Sequence, residues 1–359
     1  MNTFVSQYII IKMKKHNLFT FILLACLIIA CSDAKKLFTI NKKQLKPNYK
    51  STESVVLEIE NPSSSPIDSV LYAINDVQIG NSKANEPVLF LLTKQKLGLQ
   101  TITATIYFDG KVETDSTAIE IISDVNPKAL SFQIINVFKH DSLSFTEGLE
   151  FYKDTLYEST GLKNLSYIRK YDYKTAKVYK QIEIEKQYFG EGITLLNDKV
   201  YHLTWQDNTG FIYDASSFKK LKTFTYDKPI EGWGMTNDGT NIYQSDGTEK
   251  IWKMNPETQK LIDFQIVYAG ATKIDSLNEL ELINGRIFAN IWQKDAVAII
   301  DPTNGKVEGI LNLADLRKKV KNKTAEVLNG IAYNTKTKTI FVTGKNWDSL
   351  FEIRITGLD

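Results

Sequence analysis

Cysteine is nearly absent from this 359-residue chain: there are two, Cys26 and Cys31, both near the N-terminus. The rest therefore has no disulfide, no thiol nucleophile and no thiolate metal site. Histidine is almost as scarce. Of three, only His140 and His202 lie beyond the N-terminal segment. A three-histidine zinc site is excluded, and a Ser-His-Asp type of triad would have to use one of those two. Neither charge sign dominates, with 44 Lys and Arg against 42 Asp and Glu. Lys12, Lys14 and Lys15 fall in a segment read as cleaved; without them 41 basic residues meet 42 acidic ones. A near-neutral chain lacks the basic face that nucleic-acid binding needs. What is present is ordinary globular material, 43% hydrophobic, enough for two or three domains. Chemistry on it must run on carboxylates, lysine, tyrosine or backbone groups.

Residues 12–31 read KMKKHNLFTFILLACLIIAC. Three lysines precede an apolar stretch, Leu18 to Ala30, that is short for a membrane span. Ile28-Ile29-Ala30-Cys31 resembles a bacterial lipobox, which makes Cys31 the lipidated N-terminus after cleavage of residues 1–30. Leu23-Leu24-Ala25-Cys26 also fits but leaves a shorter apolar stretch; a plain signal peptide or an uncleaved anchor is the remaining alternative. The expectation is a lipoprotein on an exported face of the cell envelope, periplasmic or outer-membrane. Met13 is a more natural start than Met1.

Residues 31–126 read as a small β-sandwich of immunoglobulin type. Strands are expected at Ser54–Glu60, Ser69–Ile79, Val88–Leu92, Thr101–Phe108 and Ser116–Ile122, with Asp109-Gly110 as a hairpin turn. Asp124-Val125-Asn126-Pro127 reads as a linker. From 131 to 359 the pattern becomes a repeat. Glu147-Gly148, Glu191-Gly192, Trp233-Gly234, Glu279-Leu280 and Asn329-Gly330 each open a strand, at steps of 44, 42, 46 and 50 residues. Each opener leads through a strand, a turn such as Lys153-Asp154 or Asn284-Gly285, and a second strand. Five such units of four strands predict an all-β fold, a five-bladed β-propeller. The last unit supplies only three strands, so Phe132–Phe138 is expected to complete it and close the ring. A surface helix is expected at Leu313–Lys323.

In a propeller the openers and the ends of the second strands meet on one rim. Here that rim gathers Phe145, Glu147, Glu191, Trp205, Trp233, Asn278, Trp292 and Lys345. Three tryptophans at matched places could simply pack blade on blade. Carboxylates beside them point further: aromatic walls desolvate a carboxylate and raise its pKa toward the range of a general acid–base. Indole faces also attract an ammonium group. His202, next to this rim, reads as a packed, hydrogen-bonded histidine. Residue types alone leave two classes open, an enzyme and a non-catalytic envelope propeller that binds amines or peptide N-termini.

FTEGL (145–149), ESTG (158–161), FGEGIT (189–194), LTW (203–205), GFIYD (210–214), GWGMT (232–236), SDGT (245–248), NELELINGRIFANIW (278–292), LNGIAY (328–333) and FVTGKNWDSLFEI (341–353) stand in sequence along the repeat. In order and spacing this set resembles the glutamine cyclotransferases of plant and bacterial type, over about 131–356. The resemblance implies a five-bladed propeller enzyme that turns N-terminal glutamine of peptides into pyroglutamate and releases ammonia. It implies no metal and no cofactor, and a monomer is expected. Carried over residue by residue, it puts the acid–base at Glu191, with Asn278 and Lys345 as candidates to hold the amide oxygen. Phe145, Glu147, Trp205, Trp233 and Trp292 line the substrate pocket. Position 147 is commonly Gln in the plant members; Glu147 places a second carboxylate there, which raises one of the two pKa values.

Overall fold

The computed structural model describes residues 36–357. The expected cleavage site and lipidated Cys31 lie outside the described residues. The protein is all-β. Its N-terminal part holds a five-stranded sheet in which Ser69–Ile74, Val77–Lys83, Gly98–Phe108 and Lys111–Ile122 pair antiparallel and Asn48–Lys50 joins in parallel. Two short antiparallel pairs, Thr39–Ile40 with Ile59–Glu60 and Ser54–Leu57 with Val88–Leu91, cover it. Alternation decides what is buried: in Gly98–Phe108 every second side chain turns inward, including Ile102, Ala104 and Ile106. The expected single strand Ser69–Ile79 is instead a hairpin. Asn75 and Asp76 both adopt positive φ, 45° and 66°, the backbone of a two-residue turn. The apolar residues on both sides masked that break.

Four larger sheets follow, besides the two-stranded pair Tyr268–Ala269 with Thr272–Lys273. Three are four-stranded antiparallel meanders: unit one (Thr146–Tyr152, Thr155–Thr160, Tyr167–Tyr171, Val178–Glu183), unit two (Gly190–Leu196, Lys199–Thr204, Thr209–Asp214, Lys220–Thr225) and unit three (Met235–Asn237, Ile242–Ser245, Lys250–Met254, Leu261–Ile266). Two-residue turns with positive φ close several of the hairpins, among them Lys153-Asp154, Asn197-Asp198 and Asn284-Gly285. The last sheet has eight strands and contains two further meanders. Unit four is Leu277–Ile283, Arg286–Ile291, Ala296–Ile300 and Val307–Asn312; unit five is Leu328–Asn334, Thr339–Gly344 and Ser349–Thr356. Lys128–Lys139 joins them. It pairs antiparallel along Ser349–Thr356 and, at Lys128–Leu130, parallel with Gly309–Leu311. The segment Phe132–Phe138 thus lies beside the last strand of unit five.

The first strands of the five units pack against one another in a cycle, one to two, two to three, three to four, four to five and five to one. Glycine next to the openers permits this approach. A Cβ on Gly192 would collide with the carbonyl oxygen of Trp233, and one on Gly234 with that of Asn278. The same two glycines therefore bring Glu191, Trp233 and Asn278 side by side. Between the units lie hydrophobic layers, such as Tyr157, Ile168, Leu195, Phe211 and Tyr213. The helix expected at Leu313–Lys323 shrinks to Ala314–Arg317. Leu313 and Leu316 drop into the core and anchor the segment after one turn.

The N-terminal sheets sit against unit three and the neighbouring loops. Tyr268 packs into their core cluster and its hydroxyl donates to Glu120 at 2.5 Å. Lys273 pairs with the same carboxylate at 2.9 Å, and Lys306 with Asp124 at 2.6 Å.

Candidate active site

Glu147 is fully buried in the first strand of unit one. Lys345, at the end of the second strand of unit five, donates Nζ to Glu147 Oε1 at 2.6 Å; Asn329 Nδ2 donates to Oε2 at 3.1 Å. The Lys345 ammonium also lies 4.7 Å from the centroid of the Phe145 ring. Burial pushes the Glu147 carboxyl up to about 7, against the pull of the Lys345 charge and hydrogen bond.

Glu191 stands in the first strand of unit two, 6% exposed. Its Oε2 has no hydrogen-bond partner among the described residues. Burial raises its pKa well above the ordinary carboxylate range. The charge of Glu147 adds to that shift, Lys345 opposes it, and Glu231 raises it further. A buried carboxyl oxygen with no partner in the fold is either a cost or a tool. Asn278 shares the feature, since it is buried and its Oδ1 has no partner among the described residues.

The aromatic residues form an arc around these groups. Phe145 meets Phe189 edge-on at 6.1 Å between centroids, and Phe189 lies 5.6 Å from Trp205. Trp233 meets Trp292 edge-on at 5.9 Å. Trp292 is the open end, 39% exposed. The other two tryptophans, Trp252 and Trp347, belong to hydrophobic clusters of the sheets.

All eight rim residues predicted from sequence therefore fall in one neighbourhood, though Asn278 is tied in through its backbone. Sequence reasoning missed three contributors. Phe189 sits inside the quoted FGEGIT block and was visible there. Asn329 was read as a strand opener only. Glu231, just before Gly232-Trp233-Gly234, accepts both the Trp205 and Trp233 indole N–H groups, at 2.6 and 2.9 Å. His202 departs from expectation. It is packed, but neither ring nitrogen has a partner among the described residues, and burial lowers its pKa to about 3. Its ring lies among Phe211 and Tyr213, so it is a neutral core residue.

Behind the site a buried ionic cluster joins units one and five. Glu158 accepts from His140 at 3.0 Å, Thr146 at 2.8 Å and Arg169 at 2.8 Å. Burial resists its ionisation, but the Arg169 and His140 charges hold it down to about 2. His140 also bonds the Trp347 carbonyl oxygen at 2.8 Å, which fixes the strand that precedes Phe145.

The family described as Glutamine cyclotransferase matches residues 104–355, reaching back into the N-terminal sheets. A glutaminyl-peptide cyclotransferase of Arabidopsis thaliana is 39% identical over 236 residues, 65% of this chain and 73% of that protein. The crystal structure of Myxococcus xanthus glutaminyl cyclase is similar with a TM-score of 0.59 at 30% identity, over 65% of this chain and 100% of that one.

Proposed function

The chain belongs to the glutamine cyclotransferase family, and from that premise we propose a glutaminyl-peptide cyclotransferase in which Glu191 moves the proton. The enzyme closes N-terminal glutamine of peptides into pyroglutamate. The α-amine nitrogen attacks the side-chain amide carbon and forms the ring C–N bond. The bond from that carbon to the amide nitrogen then breaks, and ammonia leaves. One proton must travel from the attacking amine to the departing nitrogen. The observation that carries the assignment is Glu191 itself, a buried carboxyl with raised pKa and one oxygen without a partner. Such a group accepts the proton from the amine and returns it to the leaving group.

The surroundings fit the rest of the reaction. Phe145, Phe189, Trp205, Trp233 and Trp292 form a wall that holds the glutamine side chain bent toward its own amine. The wall also keeps out water that would hydrolyse the amide instead. Lys345 keeps donors beyond the one given to Glu147, and with Asn278 it holds the amide oxygen as that atom gains charge. The unpartnered Asn278 Oδ1 is an acceptor, suited to a substrate N–H.

The architecture is read in the same way. The cyclic packing of the five first strands supports a five-bladed propeller over 131–359. The nine described strands before it support an immunoglobulin-like sandwich over 31–126. Cys31 as a lipid anchor, placement on an exported face of the envelope and a monomeric state rest on sequence; loss of labelled-acyl incorporation in Cys31→Ser tests the anchor.

The test is incubation with a Gln-initiated peptide, followed by mass. Loss of one ammonia with the wild type and not with Glu191→Gln is the expected result. Loss with both moves the proton role to Glu147. No loss with a folded wild type, across several peptides, turns the pocket into a binding site.

A further inference from the structure

Two groups of rings make the aromatic wall, and a single carboxylate links them. Phe145, Phe189 and Trp205 are in sequential ring contact, and so are Trp233 and Trp292. Glu231 Oε2 accepts from Trp205 Nε1 at 2.6 Å and from Trp233 Nε1 at 2.9 Å. Its other oxygen accepts from Gln206 Nε2 at 2.7 Å. All of these partners are donors, so the geometry fits an ionised carboxylate. Burial works against that charge, but the three hydrogen bonds outweigh it and hold the pKa of Glu231 below the usual value.

Each tryptophan is fixed on its other side. Trp205 follows the second strand of unit two, with its backbone N–H on the Phe189 carbonyl at 3.1 Å. Trp233 precedes the first strand of unit three, and its ring lies against Gly247, where a Cβ would come within 2.5 Å of it. An indole held by its backbone and one edge can still turn about its side-chain bonds. A charge-assisted bond at the N–H removes that freedom. One carboxylate that holds two indoles from two units also sets the gap between them.

We infer that Glu231 is a positioning residue for the cyclisation: by holding the Trp205 and Trp233 indoles through one carboxylate, it fixes the width of the aromatic cup that binds the glutamine side chain. This rests on the proposed function for what the cup holds, but not for the bond geometry. It is distinct from the proton transfer assigned to Glu191. Its loss should weaken substrate binding before it slows chemistry, because a loosened wall no longer selects the bent side chain.

The charge of Glu231 also favours the protonated form of Glu191, so the test must separate holding from charge. Glu231→Asp keeps the charge and retracts it by one methylene. Glu231→Gln keeps an acceptor at the right reach and removes the charge. Glu231→Ala removes both. Kinetics with a Gln-initiated peptide are compared across the set, together with indole N–H resonances of 15N-tryptophan-labelled protein. Positioning predicts KM up tenfold or more in the Asp and Ala variants, a smaller rise in Gln, and kcat reduced less than KM is raised. It also predicts that two of the five indole signals move in Asp and Ala. A wild-type-like Asp variant beside Gln and Ala variants with shifted pH–rate profiles would overturn it in favour of a purely electrostatic role. Unmoved indole signals in Ala with KM within twofold of wild type would overturn it outright. If Ala does not fold, Asp and Gln carry the comparison. If the wild type does not cyclise any peptide, the functional reading fails while the indole signals still report the clamp.

Discussion

Two sets of buried carboxylates line the first strands of this protein, and they differ in whether backbone N–H groups hold them. Glu191 and Glu147 form one set, near the aromatic arc. Glu150, Glu279 and Glu281 form the other, on the first strands of units one and four. Burial pushes every one of the five above the ordinary carboxylate pKa, Glu150 to about 8. The second set is tied to the backbone of neighbouring units. Glu150 accepts from Leu195 N–H at 3.1 Å and from Thr194 Oγ1 at 2.7 Å. Glu279 accepts from Leu149 and Ile331 N–H at 3.2 and 2.8 Å, and Glu281 from Tyr333 N–H at 2.7 Å. Glu191 alone keeps a buried oxygen with no partner among the described residues. A raised pKa thus marks burial in both sets; the free oxygen sets Glu191 apart from the carboxylates that staple strands and from Glu147, whose two oxygens accept from the side chains of Lys345 and Asn329.

The comparison can be broken most sharply at Glu191 and Glu279. Glu191→Gln should lower kcat by about 10²–10⁴-fold, the range for loss of a general acid–base, with the melting temperature unchanged or higher. A variant with near-normal turnover would put the proton elsewhere. Glu279→Ala should do the reverse. It strands two backbone N–H groups of units one and five, at about 2–4 kcal/mol by the cost of buried unpaired donors. Urea unfolding should show that loss, and kcat per folded molecule should stay close to wild type.

Glu147→Gln sharpens the contrast inside the first set. The charge of Glu147 resists ionisation of Glu191, so its removal lowers the Glu191 pKa. Lys345, freed of its partner, pulls in the same direction. The limb of the pH–rate profile that reports Glu191 should move to lower pH; a move upward or none would uncouple the two carboxyls. The smallest effect is expected at His202. Its ring nitrogens have no partner among the described residues, so His202→Phe breaks no hydrogen bond, should cost within about 1 kcal/mol, and should leave kcat unchanged. A large loss of turnover would bring His202 into the chemistry.

Much of the fold could be read along the chain, because strand alternation and two-residue turns are local. Lys153-Asp154 and Asn284-Gly285 punctuate the repeat as the backbone does. The Asn75-Asp76 hairpin was hidden between apolar residues, and the helix after Leu313 was overextended because Leu313 and Leu316 are pulled into the core. The rim residues were legible through the period of the openers. Glu231 was not, because its meaning lies in two indoles, one of them 26 positions away in the chain.

By itself the sequence determined the scarcity of thiols and histidines, the five-fold repeat, the glycines beside the openers and the set of rim residues. These follow from composition and spacing, which are properties of the chain alone. Only the tertiary structure decided which buried carboxylate stays free, that Lys345 bonds Glu147, and that Glu231 holds Trp205 and Trp233 together. A hydrogen bond depends on distance and direction between groups from different strands. Those are set when the first strands close on one another, with glycine at the points where no side chain would fit.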